Sequence, residues 1–157
     1  MNSTKFFLHG LDSSGKGTKG QFFTKHYPDV ICPDFAGNLA DRLEQLTRIC
    51  EGKSHMILIG SSFGGLMATC FALDHSRSIA RLVLLAPALN FADFKPPKEK
   101  ITIQTLLVIG EHDTVTPPDL VVPLAKQTFA NLETRIVDDD HFLRKSFPLI
   151  EWASLLA

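Results

Sequence analysis

Ser62, Asp113 and His141 are the three side chains whose types and settings would let them act together in one reaction. Ser62 stands in the stretch Gly-Ser-Ser-Phe-Gly-Gly, Gly60 to Gly65, at the end of the apolar run His55 to Gly60. A Gly-x-Ser-x-Gly match has a chance expectation of about 0.04 at this glycine and serine content, before any context is required. A serine wedged between a strand and a helix is forced into a strained backbone conformation, and side chains two positions to either side would collide. Gly60 and Gly64 therefore have a steric reason to be glycine, and Gly65 lets the following helix pack closely. Such a turn exposes the Ser62 hydroxyl at a helix N-terminus, where the free N–H of Phe63 faces a developing oxyanion. Without chemistry, the same residues are a Gly-Ser turn capping a buried helix.

A serine hydroxyl is a poor nucleophile without a base, and the base needs an acid to orient it. The run Thr105 to Gly110 leads into Glu-His-Asp-Thr-Val-Thr-Pro, which places Asp113 in a loop, and Glu133 to Val137 leads into Asp-Asp-Asp-His-Phe, which places His141 in the next. Nucleophile, acid and histidine thus follow three separate strands. Asp138, Asp139 and Asp140 lie nearer His141 in sequence but read as a solvated turn, with Asp140 steadying the histidine loop through backbone hydrogen bonds. Replacing Asp138 or Asp139 is expected to cost little.

The elements that must hold these residues alternate. Runs at Lys5 to His9, Asp29 to Cys32, His55 to Gly60, Arg81 to Leu85, Thr105 to Gly110 and Glu133 to Val137 read as six strands, most of them too apolar for a wet face. Leu39, Leu43, Leu46 and Ile49 recur at helical spacing, Phe63 to Leu73 is apolar almost throughout, and Thr116 before Pro117 and Pro118 predicts a helix start by capping chemistry. A last helix is expected near Pro148. Alternating strands and helices imply right-handed parallel crossovers, a sheet covered on both faces, and ligands at the carboxyl ends of the strands.

Leu8-His9-Gly10, the elbow at Gly60 to Gly65, the Asp113 loop and the His141 loop together resemble the α/β-hydrolase superfamily, particularly its small, lidless esterase-like members. The resemblance spans nearly the whole chain. It implies a compact α/β-hydrolase fold with a mainly parallel six-stranded sheet, and one α/β-hydrolase domain over residues 1–157. It also implies a Ser62–His141–Asp113 triad, with the backbone N–H groups of Leu11 and Phe63 as the oxyanion hole. The chain departs from the usual pattern by beginning directly at the strand that carries Leu8-His9-Gly10, and by having too few residues between Pro87 and Gln104 for a folded lid. An open, shallow acyl site is expected, with Leu89, Phe91, Phe94 and Phe142 as candidates for its apolar wall.

The opening stretch Gly10 to Thr18 has a second reading, because Gly, four residues, Gly15, Lys16, Gly17 and Thr18 resemble the phosphate loop of nucleoside monophosphate kinases. A kinase would also need a magnesium-binding carboxylate, for which Asp34 is the candidate, and a cluster of arginines for the transferred phosphoryl group. Arg77, Arg81, Arg135 and Arg144 show no such cluster in sequence, and Ser62, Asp113 and His141 would be left unexplained. In a hydrolase the stretch starts a helix on the rim, capped by Ser13 or Ser14, and His9 shapes the loop by hydrogen bonding. A non-catalytic binding protein on the same fold is the remaining alternative.

Composition agrees with a cytoplasmic enzyme for a small acyl substrate. The chain has 157 residues, 16 basic and 17 acidic, for a net charge of -1, with no long run of either sign. Nothing in that balance points to nucleic acid or an anionic membrane surface, and no stretch approaches the roughly 20 apolar residues of a membrane span. Cys32, Cys50 and Cys70 lack metal or redox spacing and read as buried reduced thiols. No metal or organic cofactor is expected.

Overall fold

The computed structural model describes residues 2–157. Six strands form one sheet: β1 (Lys5–Leu8), β2 (Val30–Ile31), β3 (Met56–Ser61), β4 (Ile79–Leu85), β5 (Gln104–Gly110) and β6 (Leu132–Val137). Their order is β2-β1-β3-β4-β5-β6 and every neighbouring pair is parallel. The helices are α1 (Thr18–His26), α2 (Leu39–Ile49), α3 (Phe63–His75), α4 (Pro118–Thr128) and the short α5 (Trp152–Leu155). Parallel pairing puts all six carboxyl ends on one edge of the sheet. The crossovers between strands must therefore run back over its faces.

Alternation along the strands divides the core in two. Phe6, Leu8, Leu58, Leu82, Leu84, Leu107 and Ile109 face α2, α3 and α4, where they pack with Leu46, Leu66, Met67, Val121 and Ala125. Phe7, Ile57, Ile59, Val83, Leu106 and Val108 face the opposite way, packing with Phe23 of α1 and with Phe147, Trp152 and Leu156 near the C-terminus. The central strands have no wet face, as their composition predicts. The edges differ: β2 is only two residues long, and β6 exposes Ile136 on the outside of the sheet.

Four local expectations are corrected. Thr116 does not cap α4; Pro117 occupies the N-cap position with φ -60°, and no side chain caps that end. Proline already holds the φ that the cap and first turn require, which frees the Thr116 hydroxyl for other partners. Neither Ser13 nor Ser14 caps α1, whose N-cap is Gly17; Ser14 Oγ instead accepts the Lys16 N–H at 3.1 Å. The helix expected near Pro148 is a 3-10 turn, Phe147–Leu149, followed by the four residues of α5. Cys50 is buried, but Cys32 and Cys70 are only partly so; all three are free. Among the described residues no helix is long and apolar enough to cross a membrane, and residues 86–103 between β4 and β5 hold no folded lid.

Candidate functional site

Ser62 sits between β3 and α3 with φ 55° and ψ -116°, a conformation that a residue with a Cβ rarely adopts. Its own backbone is tied down on both sides, the N–H donating to Leu85 O at 2.9 Å and the carbonyl accepting from Ala88 N at 2.9 Å. A Cβ at Gly60 would collide with the Gly64 backbone, and one at Gly64 with the Leu8 backbone. A Cβ at Gly65 would come within 2.7 Å of the Pro87 ring. The three glycines thus allow β1, β3, β4 and α3 to approach closely enough to hold the strained serine.

His141 and Asp113 reach Ser62 from the neighbouring strand ends. Strands β5 and β6 are adjacent, with Gly110 opposite Val137, so the loops that follow them lie side by side. Ser62 Oγ is 3.0 Å from His141 Nε2, and His141 Nδ1 is 2.7 Å from Asp113 Oδ2. Because a carboxylate accepts, Nδ1 carries the hydrogen and Nε2 is left to accept from the serine hydroxyl. Asp113 is 4 % exposed. Its other oxygen accepts from the N–H groups of Val115 at 2.8 Å and Thr116 at 2.7 Å.

Thr116 is one residue whose place in this network the sequence reading missed. Its hydroxyl lies 2.7 Å from Asp113 Oδ2, 3.1 Å from His141 Nδ1 and 3.2 Å from Ala86 O. With one proton to give, it donates to the nearer carboxylate and leaves its lone pairs toward the imidazole N–H. Ala86 adopts φ 45°, which joins the end of β4 to the same network. The spacing Asp-x-x-Thr carries the signal, since an aspartate that accepts from the N–H groups two and three residues on brings the third side chain back to its own carboxylate.

The loop after β1 closes the other side. Gly10 packs against Ser62: a Cβ there would lie 3.5 Å from Ser62 Cβ. His9 is buried, with Nδ1 2.6 Å from Gly10 O and Nε2 accepting the Phe35 N–H at 2.9 Å. Both ring nitrogens are therefore engaged in shaping the loop. Neither the Leu11 nor the Phe63 N–H has a protein acceptor among the described residues.

The same loop does not form a phosphate cradle. Gly15 N–H donates to Asp34 Oδ1 at 2.7 Å, Lys16 N–H to Ser14 Oγ, and Gly17 N–H to Ser14 O at 3.1 Å. A phosphate loop needs those backbone donors free. Asp34, the candidate magnesium ligand, is occupied in stapling Gly15 to the end of β2.

The triple-aspartate run is not a uniform solvated turn. Asp139 is 5 % exposed and accepts from Asp140 N at 2.8 Å, Ser146 N at 2.9 Å and Lys145 N at 3.1 Å. Burial pushes its carboxyl up, but these backbone donors outweigh that effect and hold it below the usual carboxylate range. Asp140 does steady the loop, accepting from Phe142 N at 2.9 Å. Asp138 is exposed and pairs with His112. Lys19 clamps the loop from α1, donating to Phe142 O at 2.7 Å; burial, with Arg144 nearby, holds its ammonium below the usual lysine range.

The four candidates for the apolar wall divide by burial. Leu89 and Phe94 are buried core residues, whereas Phe91 is 36 % and Phe142 55 % exposed. Phe142 meets the His141 ring edge-on at 5.9 Å, and Phe91 meets Phe63 at 5.8 Å. Burial pushes the Cys50 and Cys70 thiols up to about 11, which leaves neither as a thiolate nucleophile at neutral pH.

Comparison with known proteins agrees with this fold. The family model described as serine aminopeptidase, S33, matches residues 1–98, a span that includes Gly10 and the Ser62 elbow but ends before Asp113. No curated protein matches the sequence. Among solved structures, an esterase from Exiguobacterium antarcticum superposes with a TM-score of 0.78 at 13% identity, over 100% of this chain and 94% of its own. A YdeN-like hydrolase from Pectobacterium atrosepticum gives 0.77 at 19% identity, over 99% and 91%. A monoacylglycerol lipase from Paleococcus ferrophilus gives 0.72 at 15% identity, over 99% and 96%. At these identities the structures testify to the fold alone. With the family match covering more than half of its length, the chain belongs to the serine aminopeptidase, S33, family of the α/β-hydrolase superfamily.

Proposed function

We propose that the protein is a serine hydrolase that cleaves small acyl esters or thioesters through a Ser62–His141–Asp113 triad and an acyl-enzyme. The observation that carries this reading is the unbroken relay of 3.0 Å from Ser62 Oγ to His141 Nε2 and 2.7 Å from His141 Nδ1 to Asp113 Oδ2. His141 Nε2 takes the hydroxyl proton as Ser62 Oγ attacks the acyl carbonyl carbon. Asp113 holds the ring and stabilises its charged form. The carbonyl oxygen, now bearing the negative charge, is met by the N–H groups of Leu11 and Phe63.

Collapse of this intermediate breaks the bond to the leaving alcohol or thiol, which collects the proton from His141 Nε2. Water then enters and gives a proton to the same nitrogen. Its oxygen attacks the acyl-enzyme, and Ser62 leaves as the hydroxyl while the carboxylic acid departs. Every proton moves through one nitrogen, and the residues named supply all the chemistry.

The absence of a lid between β4 and β5 and the exposed rim at Phe91 and Phe142 favour short acyl chains over long ones that need a tunnel. Turnover of p-nitrophenyl acetate by the wild type, reduced to the uncatalysed rate in Ser62→Ala, is the expected result. Unchanged turnover in Ser62→Ala would remove the nucleophile. Because an imidazole base must be neutral, turnover is also expected to fall on acidification.

A further inference from the structure

Arg42, near the start of α2, is 5 % exposed. No carboxylate pairs with it among the described residues. Nε donates to Gly37 O at 2.9 Å. Nη1 is sealed from solvent with no acceptor at all, and Nη2, which is not sealed, donates to no protein group. A buried guanidinium without a counter-ion is strongly disfavoured, and buried charges are ordinarily paired. Its place in the fold offers no compensation, since a helix N-terminus is the positive end of the dipole. Asn38 and Asp41 already form a closed capping box there. Arg48 pairs with Glu44, and Arg135 with Glu133 and Glu151. Arg81, which also lacks a carboxylate and has a buried unpaired Nε, places both Nη groups on Leu155 O and Gln104 Oε1. Arg42 has neither compensation.

What Arg42 does touch is the candidate site. Its guanidinium carbon stands 5.4 Å from the centre of the Phe63 ring, and Phe63 follows the nucleophile and offers one of the two free N–H groups. The far edge of that ring contacts Phe91 on the exposed rim. Arg42, Phe63 and Phe91 therefore pack in series beside Ser62, with Phe91 the exposed member.

Building on the serine-hydrolase reading, we propose that Arg42 is an anion subsite of this enzyme and that its acyl substrates carry a carboxylate at the end remote from the scissile bond. Nη2, the nitrogen left open and unpaired, can donate to a carboxylate oxygen in a charge-assisted bond. One cation suits one negative charge, whereas a phosphate dianion ordinarily draws several. Among the described residues the buried polar groups include no second cation, His9 having both ring nitrogens engaged. Lys19 is committed to Phe142 O.

Two substrate pairs test the subsite: the mono-p-nitrophenyl ester of adipate against p-nitrophenyl hexanoate, and that of pimelate against p-nitrophenyl heptanoate. Within a pair the chains differ only in a terminal carboxylate or methyl. The wild type is expected to favour the charged member of at least one pair by about tenfold or more in kcat/KM. Arg42→Met, which keeps an apolar stem against Phe63, brings that ratio to parity or below, and Arg42→Lys restores part of it. No preference in either pair, or one that survives in Arg42→Met, overturns the subsite. Failure of the hydrolase reading looks different: no turnover of p-nitrophenyl acetate and no fluorophosphonate label on Ser62. Calorimetric titration of adipate then decides the subsite separately. Binding to the wild type and not to Arg42→Met upholds it, and equal or absent binding overturns it.

Discussion

Two buried aspartates follow adjacent strands of this sheet and are almost equally hidden, Asp113 at 4 % and Asp139 at 5 % exposure. Asp113 spends one oxygen on two backbone N–H groups and turns the other to Thr116 and the His141 ring. Asp139 spends both oxygens on backbone N–H groups of its own loop. Burial alone therefore does not mark the acid of a triad. What separates the two is the His141 ring, which Asp113 faces and Asp139 does not, and which in the proposed mechanism changes its charge during turnover. On the proposed mechanism one carboxylate serves the chemistry, while the other holds the loop that carries the histidine.

The largest separation is expected from the amide replacements. Asp113→Asn keeps the volume but favours the wrong imidazole tautomer, and a loss of about 10⁴ in turnover is expected with the fold retained. Near-normal turnover of Asp113→Asn, alongside a crippled Asp140→Asn, would move the acid to the other loop. Next comes Thr116→Val, which removes one hydrogen bond to a charged carboxylate while keeping shape. The loss of about 1.5–3 kcal/mol for such a bond corresponds to roughly 10- to 100-fold in kcat. Thr116→Ser should recover most of it with KM little changed, and a Thr116→Val enzyme as fast as wild type would make the hydroxyl irrelevant.

Asp139→Asn should act mainly on stability, lowering it by about 1–3 kcal/mol through unsatisfied loop N–H groups. Because the folded carboxyl titrates below its ordinary value, its contribution is complete above the unfolded pKa and disappears as pH falls through the depressed folded one. The difference in Tm between wild type and Asp139→Asn should accordingly be full at neutral pH and shrink in strong acid. A constant difference would assign the effect to packing. Smallest of all is Asp138→Asn: an exposed pair with His112 contributes little, and turnover and Tm should both stay near wild type.

How much was legible in the sequence follows from where the signals lie. Apolar runs such as Met56 to Ile59 and Leu106 to Ile109 are buried on both faces, so composition located the central strands, while the edge strands β2 and β6 are partly exposed. The elbow was legible because its glycines answer a steric demand within six residues. Thr116 and Asp139 were not, since their roles depend on which neighbouring groups a loop brings back to a side chain. Two prolines after Thr116 looked like capping chemistry, and three aspartates in a row looked like solvent-facing charge. Arg42 was hidden for a related reason. On an amphipathic helix a basic residue reads as surface, and only packing against α3 turns it inward.

The most direct test of the central claim is labelling with a fluorophosphonate probe, read by mass spectrometry of the intact protein and its peptides. A single adduct on the peptide containing Ser62 is expected, formed rapidly by the wild type, slowly by Asp113→Asn and not at all by Ser62→Ala. Asp139→Asn, assayed well below its Tm, should label much faster than Asp113→Asn. An unlabelled wild type, or an adduct that persists in Ser62→Ala, would contradict the account.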